Sequence, residues 1–309
     1  MSIPHAHGHL PVTDGNTLHW EEHGTPHGTP CLVLHGGPGS GSHPRLVRFF
    51  DPARHRVLLL DQRGAGRSTP DAAHPDTDLT TNTTAHLIDD IEALRVARGI
   101  DTWLVLGLSW GSTLGLAYTQ AHPDRVRALI LAAVTTTSPT EVHWLTHDMG
   151  RVFPERWEAF RDAAGPGADP HRLPAAYARL LADPDPTVRE EAARAWCRWE
   201  DTHMATTTDF TPFLSTRPVD FQLRFARLVT HYWAHHAFLP PGHLLTNTHR
   251  MAHVPGAMIH GRLDISGPAD TAHHLSRRWP AATLTIVEGA GHTKGLRESA
   301  VRAIDRLTH

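Results

Sequence analysis

The stretch TWLVLGLSWGSTLGLAYTQA, residues 102–121, limits what this chain can fold into more than any other. It reads as an apolar strand, one sharp turn and then a helix. Gly107, Ser109 and Gly111 occupy the turn in a G-x-S-x-G pattern. Small residues on either side of a serine allow a strand to break directly into a helix and lift the hydroxyl above the sheet edge. The pentapeptide alone is a moderate signal. A strand before it and a helix behind it make Ser109 a candidate nucleophile instead of a loop serine.

The surrounding chain repeats this alternation. CLVLHGGPG and HRVLLLDQRGAGRS are each an apolar strand ending in a glycine-rich loop. DGN, at 14–16, reads as a hairpin turn. TTAHLIDDIEALRVARGI carries apolar residues at helical spacing and stops at Gly99. RALILAAV is a further strand. After residue 245 the alternation returns with GAMIHGRLD, the helix DTAHHLSRRW, the strand ATLTIVEGAGH and a C-terminal helix. Strands alternating with helices predict an α/β fold with a mostly parallel central sheet flanked by helices.

Between these parts the pattern changes. PERWEAFRDAA, PAAYARLLA, TVREEAARAWCRWED and DFQLRFARLVTHYWAHH are helical in period, with no strong strand signal. The 309 residues are long for one simple domain. We therefore expect a core domain built from residues 1–137 and 246–309, with an inserted all-helical cap over 138–245.

A serine hydroxyl needs a base, and the base needs an orienting carboxylate. At turns of this kind the partners follow in the chain order serine, acid, histidine. Asp264 comes just after the strand in GAMIHGRLD, and His292 just after the strand in ATLTIVEGAGH. Both fall at carboxyl ends of strands, where the loops of such sheets gather. An oxyanion needs two backbone N–H donors. Trp110 follows the nucleophile directly, and Gly37 in HGGPG (35–39) is the second candidate, with Gly36 beside it facing substrate. In DQRGAGRS, Asp61, Arg63 and Arg67 either touch substrate or form an internal ion-pair lattice that fixes the loops.

Composition excludes some functions. The formal net charge is −3 and Lys294 is the only lysine, so no basic face for nucleic acid is expected. No apolar run reaches membrane-spanning length and residues 1–12 carry no apolar targeting core, so a cytoplasmic protein without membrane contact is the expectation. Two cysteines, Cys31 and Cys197, make a disulfide framework unexpected. Among 27 histidines, His5, His7 and His9 read as a frayed polar tail in preference to a chelating cluster. His231 and His235 have i, i+4 spacing but no HExxH pattern. Neither a metal nor an organic cofactor is expected.

Taken in order, HGGPG, DQRGAGRS, NTT with DIEALR, GLSWGSTLGLAYTQAHPDRV, AWCRWE, HYW, HGRLD and GAGH resemble the proline iminopeptidases, serine aminopeptidases with an α/β-hydrolase core and a helical cap. The resemblance runs from about Val12 to the C-terminal helix. It implies release of N-terminal proline from short peptides, with Ser109, Asp264 and His292 as the triad. It also implies cap glutamates that bind the substrate ammonium. One of these matches Glu200, after Trp199. The other family glutamate corresponds here to Val229, and a family phenylalanine to Trp233, with Tyr232 between them. Ala132 and Ala133 replace an Arg-Gly pair, and Thr293, Lys294, Gly295 and Leu296 replace a Ser-Ala-x-Glu stretch. A desolvated ammonium needs nearby carboxylates, so a pocket walled by Glu200, Val229, Tyr232 and Trp233 is expected to be retuned. Two substrate classes follow: a short peptide, or a neutral or aromatic small molecule turned over by ester or amide hydrolysis or by non-hydrolytic chemistry. The oligomeric state is left open.

Overall fold

The computed structural model describes residues 3–207 and 209–308. Residues 1, 2 and 309, at the outer ends of the expected core segments, and 208, within the expected cap, lie outside the described residues. Eight strands form one sheet: β1 (Ala6–Pro11), β2 (Thr17–Gly24), β3 (Thr29–Leu34), β4 (His55–Leu60), β5 (Trp103–Leu108), β6 (Val126–Ala132), β7 (Gly256–Gly261) and β8 (Ala282–Val287), in the order β1-β2-β4-β3-β5-β6-β7-β8. The six strands from β4 to β8 in that order run parallel, and β2 and β1 join antiparallel at one edge.

The inner parallel strands bury both faces, and alternate residues divide between two apolar layers. Leu32, Leu34, Leu58, Leu60, Val105 and Leu129 face one layer, which α1 (Thr84–Ala97) and α2 (Trp110–Ala121) cover with Leu87, Ile91, Leu94 and Leu114. Val33, Val57, Leu104, Leu106 and Ile130 face the other, closed by Ala300, Ala303 and Ile304 of α10 (Arg297–Thr308). Near-continuous apolar strands are what a doubly covered parallel sheet requires.

The N-terminal segment departs from the frayed tail expected of it. Ala6–Pro11 pairs residue by residue with β2, around the turn at Asp14 and Gly15, and its side chains alternate between half-buried and exposed. The His5 N–H also bonds the Glu22 carbonyl at 2.9 Å. An edge strand needs only one partner and one covered face, so polar residues at every second position suffice.

Between β6 and β7 the chain is helical: α3 (Pro139–Thr146), α4 (Pro154–Ala163), α5 (Leu173–Leu180), α6 (Pro186–Met204), α7 (Val219–Ala234) and the single turn α8 (His243–Thr246). Aromatic packing holds these helices together. Phe160 of α4 stacks on Tyr177 at 4.8 Å and on Trp199 at 5.1 Å, and Trp196 meets Trp233 edge-on at 5.6 Å. Polar tips among them are tied down: Tyr177 donates to the Phe160 carbonyl at 2.6 Å, and Trp199 to the Leu145 carbonyl at 3.0 Å. Helix α7 stops at Ala234, so the final two histidines of the stretch at 226–236 lie past its end. Cys31 and Cys197 are buried free thiols. Among the described residues no helix is long and apolar enough to cross a membrane.

Candidate active site

Ser109 stands between β5 and α2 with φ 55° and ψ −120°, a sparsely populated conformation for a residue with a Cβ. The two glycines of the motif make this turn possible by close approach. A Cβ on Gly107 would lie 2.2 Å from the Gly111 carbonyl oxygen, and one on Gly111 would lie 2.1 Å from the Leu34 carbonyl oxygen. No side chain fits at either place, so helix α2 starts directly against β3 and β5.

The strand ends bring the other polar groups to this turn. His292 Nε2 lies 2.9 Å from Ser109 Oγ, and His292 Nδ1 lies 2.8 Å from Asp264 Oδ2. The second carboxylate oxygen of Asp264 accepts the Gly267 N–H at 3.1 Å. Burial alone would push the His292 imidazole down, but the Asp264 carboxylate and its hydrogen bond, with Glu200 adding to them, outweigh this and raise its pKa. Burial likewise opposes ionisation of Asp264, yet the nearby His292 and His260 rings and the Gly267 bond hold its pKa below the usual value. His260, 3.7 Å away, accepts the Val134 N–H on Nδ1 and donates from Nε2 to the Gly267 carbonyl at 2.6 Å. Burial lowers its pKa.

Two lobes of a cleft meet at Ser109, and both are bordered by Gly37, Glu200, Met204 and His292. The larger, about 340 Å³, also includes Gly36 and is walled mainly by apolar side chains such as Phe49, Leu108, Phe225 and Leu296. Ala132, Ala133, Thr293, Gly295 and Leu296, four-fifths of them apolar or small, also border it. The smaller, about 50 Å³, is more polar and reaches Trp110, Thr137, His203, Trp233 and Ser266.

Glu200 is buried in the wall of both lobes. Its Oε1 accepts the Trp196 indole N–H at 3.1 Å, and its Oε2 lies 3.3 Å from His203 Nε2. Glu141 also borders the small lobe, but its carboxylate is consumed by Thr136, Ser138 and Thr271. Among the described residues lining the two lobes, Glu200 is therefore the one carboxylate that is not fully engaged by the protein.

Two expected wall residues lie elsewhere. Val229 is fully buried in the apolar layer and borders neither lobe. Tyr232 packs its ring 4.6 Å from that of Trp110 and donates its hydroxyl to Asn82 Oδ1 at 2.7 Å. Tyr232 thus faces the first residue of α2 and the loop before α1, and of the three residues only Trp233 reaches the small lobe.

Other residues position the site without any local signal for it in the sequence. Gln62 accepts the Trp110 indole N–H at 2.9 Å, and its side-chain amide donates to the His35 carbonyl at 3.2 Å. His35 accepts the Gln62 backbone N–H on Nε2 and donates from Nδ1 to the Gly36 carbonyl. Together they tie the 35–39 loop to the first turn of α2. In the same segment Asp61 accepts from Ser42 and Arg67, and the buried Arg63 forks onto Asp90 at 2.6 and 2.9 Å. These bonds make the loop lattice, and none of Asp61, Arg63 and Arg67 borders the cleft.

The sequence profile of the alpha/beta hydrolase fold family matches residues 29–294. A protein of Streptomyces coelicolor named probable proline iminopeptidase is 48% identical, covering 98% of this chain and 95% of that one. A proline iminopeptidase of Xylella fastidiosa is 42% identical over 94% of this chain and 91% of its own. Among solved structures, a bromoperoxidase from Bacillus anthracis superposes with a TM-score of 0.65 at 14% identity, covering 98% of each chain, a likeness of fold alone.

Proposed function

This chain belongs to the proline iminopeptidases, a family of the α/β-hydrolase fold, and we propose that it releases N-terminal proline from short peptides through Ser109, using an amine subsite built on one carboxylate. It is a serine hydrolase of that family. The observation that carries the finer reading is the position of Glu200, in the wall of a small lobe that also touches Ser109 and His292.

In this mechanism His292 Nε2 takes the Ser109 proton as Oγ attacks the prolyl carbonyl. Asp264 holds Nδ1–H and favours the imidazolium that forms. The oxyanion is held by the N–H groups of Gly37 and Trp110. Trp110 opens α2, where first-turn N–H groups have no acceptor within the helix. His292 then gives its proton to the departing peptide nitrogen, leaving a prolyl ester on Ser109. Water, deprotonated by His292, hydrolyses that ester and frees proline and Ser109.

The substrate ammonium would sit between Glu200 Oε2 and His203. The Ser266 hydroxyl donates to the His203 carbonyl, so His203 Nδ1, 2.8 Å from Ser266 Oγ, is the ring's donor. In the neutral ring Nε2 then carries a lone pair. That atom is buried without a hydrogen bond; its 3.3 Å approach to Glu200 lacks hydrogen-bond geometry. A donor placed between them would be accepted by both. The leaving peptide would occupy the large lobe. The helices of 138–245 would act as the cap that forms the amine subsite, on a core of 1–137 and 246–309, in a cytoplasmic enzyme acting on small substrates.

A second reading is a neutral or aromatic ester as substrate. Its support is the apolar large lobe together with the lone carboxylate. Rates on Pro-, Ala- and Phe-naphthylamide against a neutral aryl ester separate the two. We expect the prolyl amide to be the fastest amide by a wide margin. Ester turnover with no proline release would overturn the first reading in favour of the second.

The raised pKa of His292 sets a further expectation. A base must be neutral to accept the serine proton, so kcat/KM falls as pH drops through the pKa of His292. The midpoint lies above the ordinary imidazole value of about 6.5. A Glu200→Gln variant loses one group that raises it, so its midpoint moves to lower pH. A pH–rate profile of both proteins checks the direction.

A further inference from the structure

We propose that His143, His147 and His171 form a binding site for a divalent transition-metal ion of the zinc class, beside a cavity of the helical segment that shares only Val142 and Trp233 with the small lobe of the cleft. One nitrogen from each ring lies within 4.8 Å of the other two. The rings are stacked: His143 on His147 at 4.6 Å, His147 on His171 at 4.3 Å, and His143 near-parallel to His171 at 5.5 Å. Three imidazoles gathered this closely, from two places 24 residues apart or more in the chain, are the ligand type preferred by zinc, copper and nickel.

The supporting groups are those such a site needs. Asp148 Oδ1 lies 3.1 Å from His147 Nδ1 and 3.6 Å from His143 Nε2, so it can accept a ring N–H and leave the other nitrogen of that ring to ligate. A carboxylate behind a ligating histidine fixes the tautomer and makes the ring more basic. Trp157 packs edge-on against His147 at 5.9 Å, and its indole N–H is tied to the Thr146 carbonyl at 2.8 Å, which limits the swing of that ring. Ligands about 2.0–2.1 Å from one ion must be closer together than 4.8 Å. Rotation about the soft second side-chain torsion of His143 and the exposed His171 supplies the closure. A cavity of about 280 Å³ bordered by His143, His171, Arg172 and His236 gives an ion a path in.

The site would act as a clip. His143 belongs to α3 and His147 caps its end, whereas His171 precedes α5. The opposite side of α3 borders the small lobe of the cleft through Glu141, Val142 and Leu145. Metal binding would therefore hold one wall of the cleft to the rest of the helical segment, without touching Ser109 or His292. The sequence carries no pointer to this group, because no local motif links His171 to the other two.

The test is titration of the untagged, full-length protein with zinc chloride, read by calorimetry and by the shift in melting temperature. We expect one ion per chain and a rise in melting temperature. His147→Ala and His171→Ala each weaken binding at least about 100-fold, beyond the roughly 10–100-fold cost of losing an outer-sphere partner, and abolish the thermal shift. His171 is exposed, so its replacement leaves the apo fold intact and keeps the test valid if His147→Ala folds poorly. A His7→Ala/His9→Ala variant retains full binding. Unchanged zinc binding in His171→Ala, or no stoichiometric binding by the unaltered protein, would overturn the proposal.

Discussion

Replacing Ser109 with alanine lowers kcat on the best substrate by roughly 10⁴–10⁶-fold, the range found when a triad serine is lost while oxyanion and binding contacts remain. The cost is chemical and not structural. Alanine keeps the Cβ, tolerates φ 55° no worse than serine does, and leaves Gly107 and Gly111 in their close contacts. Melting temperature should stay within a few degrees of the unaltered protein. The same reasoning gives Asp264→Asn a loss of about 10⁴-fold. The amide has a single oxygen and cannot accept both the His292 Nδ1–H and the Gly267 N–H, and it no longer offsets the burial that disfavours the imidazolium. The two losses do not multiply, because serine, histidine and aspartate act as one unit. A Ser109→Ala variant with full turnover on the true substrate would remove the covalent mechanism.

Glu200→Gln lowers kcat/KM for prolyl naphthylamide by about 30- to several-thousand-fold, the equivalent of the roughly 2–5 kcal/mol lost when one member of a buried charge pair is removed. Glutamine keeps the length of the side chain and can still accept the Trp196 N–H on its amide oxygen, so the loss reports charge more than packing. Val229→Glu acts in the opposite direction. The resemblance to the family implies a second glutamate at this position. Val229 lies one turn before Trp233 on the same face of α7, and Trp233 borders the small lobe. A longer acidic side chain at 229 can reach toward that lobe where valine cannot. We expect kcat/KM for the prolyl amide to rise and its ratio to a neutral ester to rise with it, both read by steady-state kinetics. An unchanged ratio in a folded Val229→Glu protein would show that this position does not govern amine recognition.

The parts of the site legible in the sequence are those with local signatures. A G-x-S-x-G turn between a strand and a helix declares itself within ten residues, and Asp264 and His292 follow the ends of recognisable strands. Residues set by distant packing carried no such mark. Gln62 stands inside a loop singled out for its charges, yet its bond to Trp110 spans 48 residues. His203 reads as one more helical histidine until Ser266, 63 residues away, fixes which of its nitrogens faces Glu200. The resemblance puts Val229 and Tyr232 in the pocket wall, but Tyr232 is held by Trp110 and Asn82, both distant in the chain, and Val229 lies in the apolar layer, surroundings that no local pattern marks. The edge strand β1 was missed for a different reason. It buries little, and its polar alternation resembles that of an unstructured end.

Recognition of a free substrate amine at Glu200 separates a peptidase from a general serine hydrolase. The most direct measurement is kcat/KM of the unaltered enzyme for prolyl naphthylamide against N-acetyl-prolyl naphthylamide, which differ in the charge at the nitrogen and the added acetyl group. Recognition of the ammonium predicts that acetylation costs at least about 30-fold, the lower end of the range for a lost buried charge pair, and that Glu200→Gln narrows the gap. Equal rates on the two amides would contradict the account and leave a serine hydrolase that has no use for the amine.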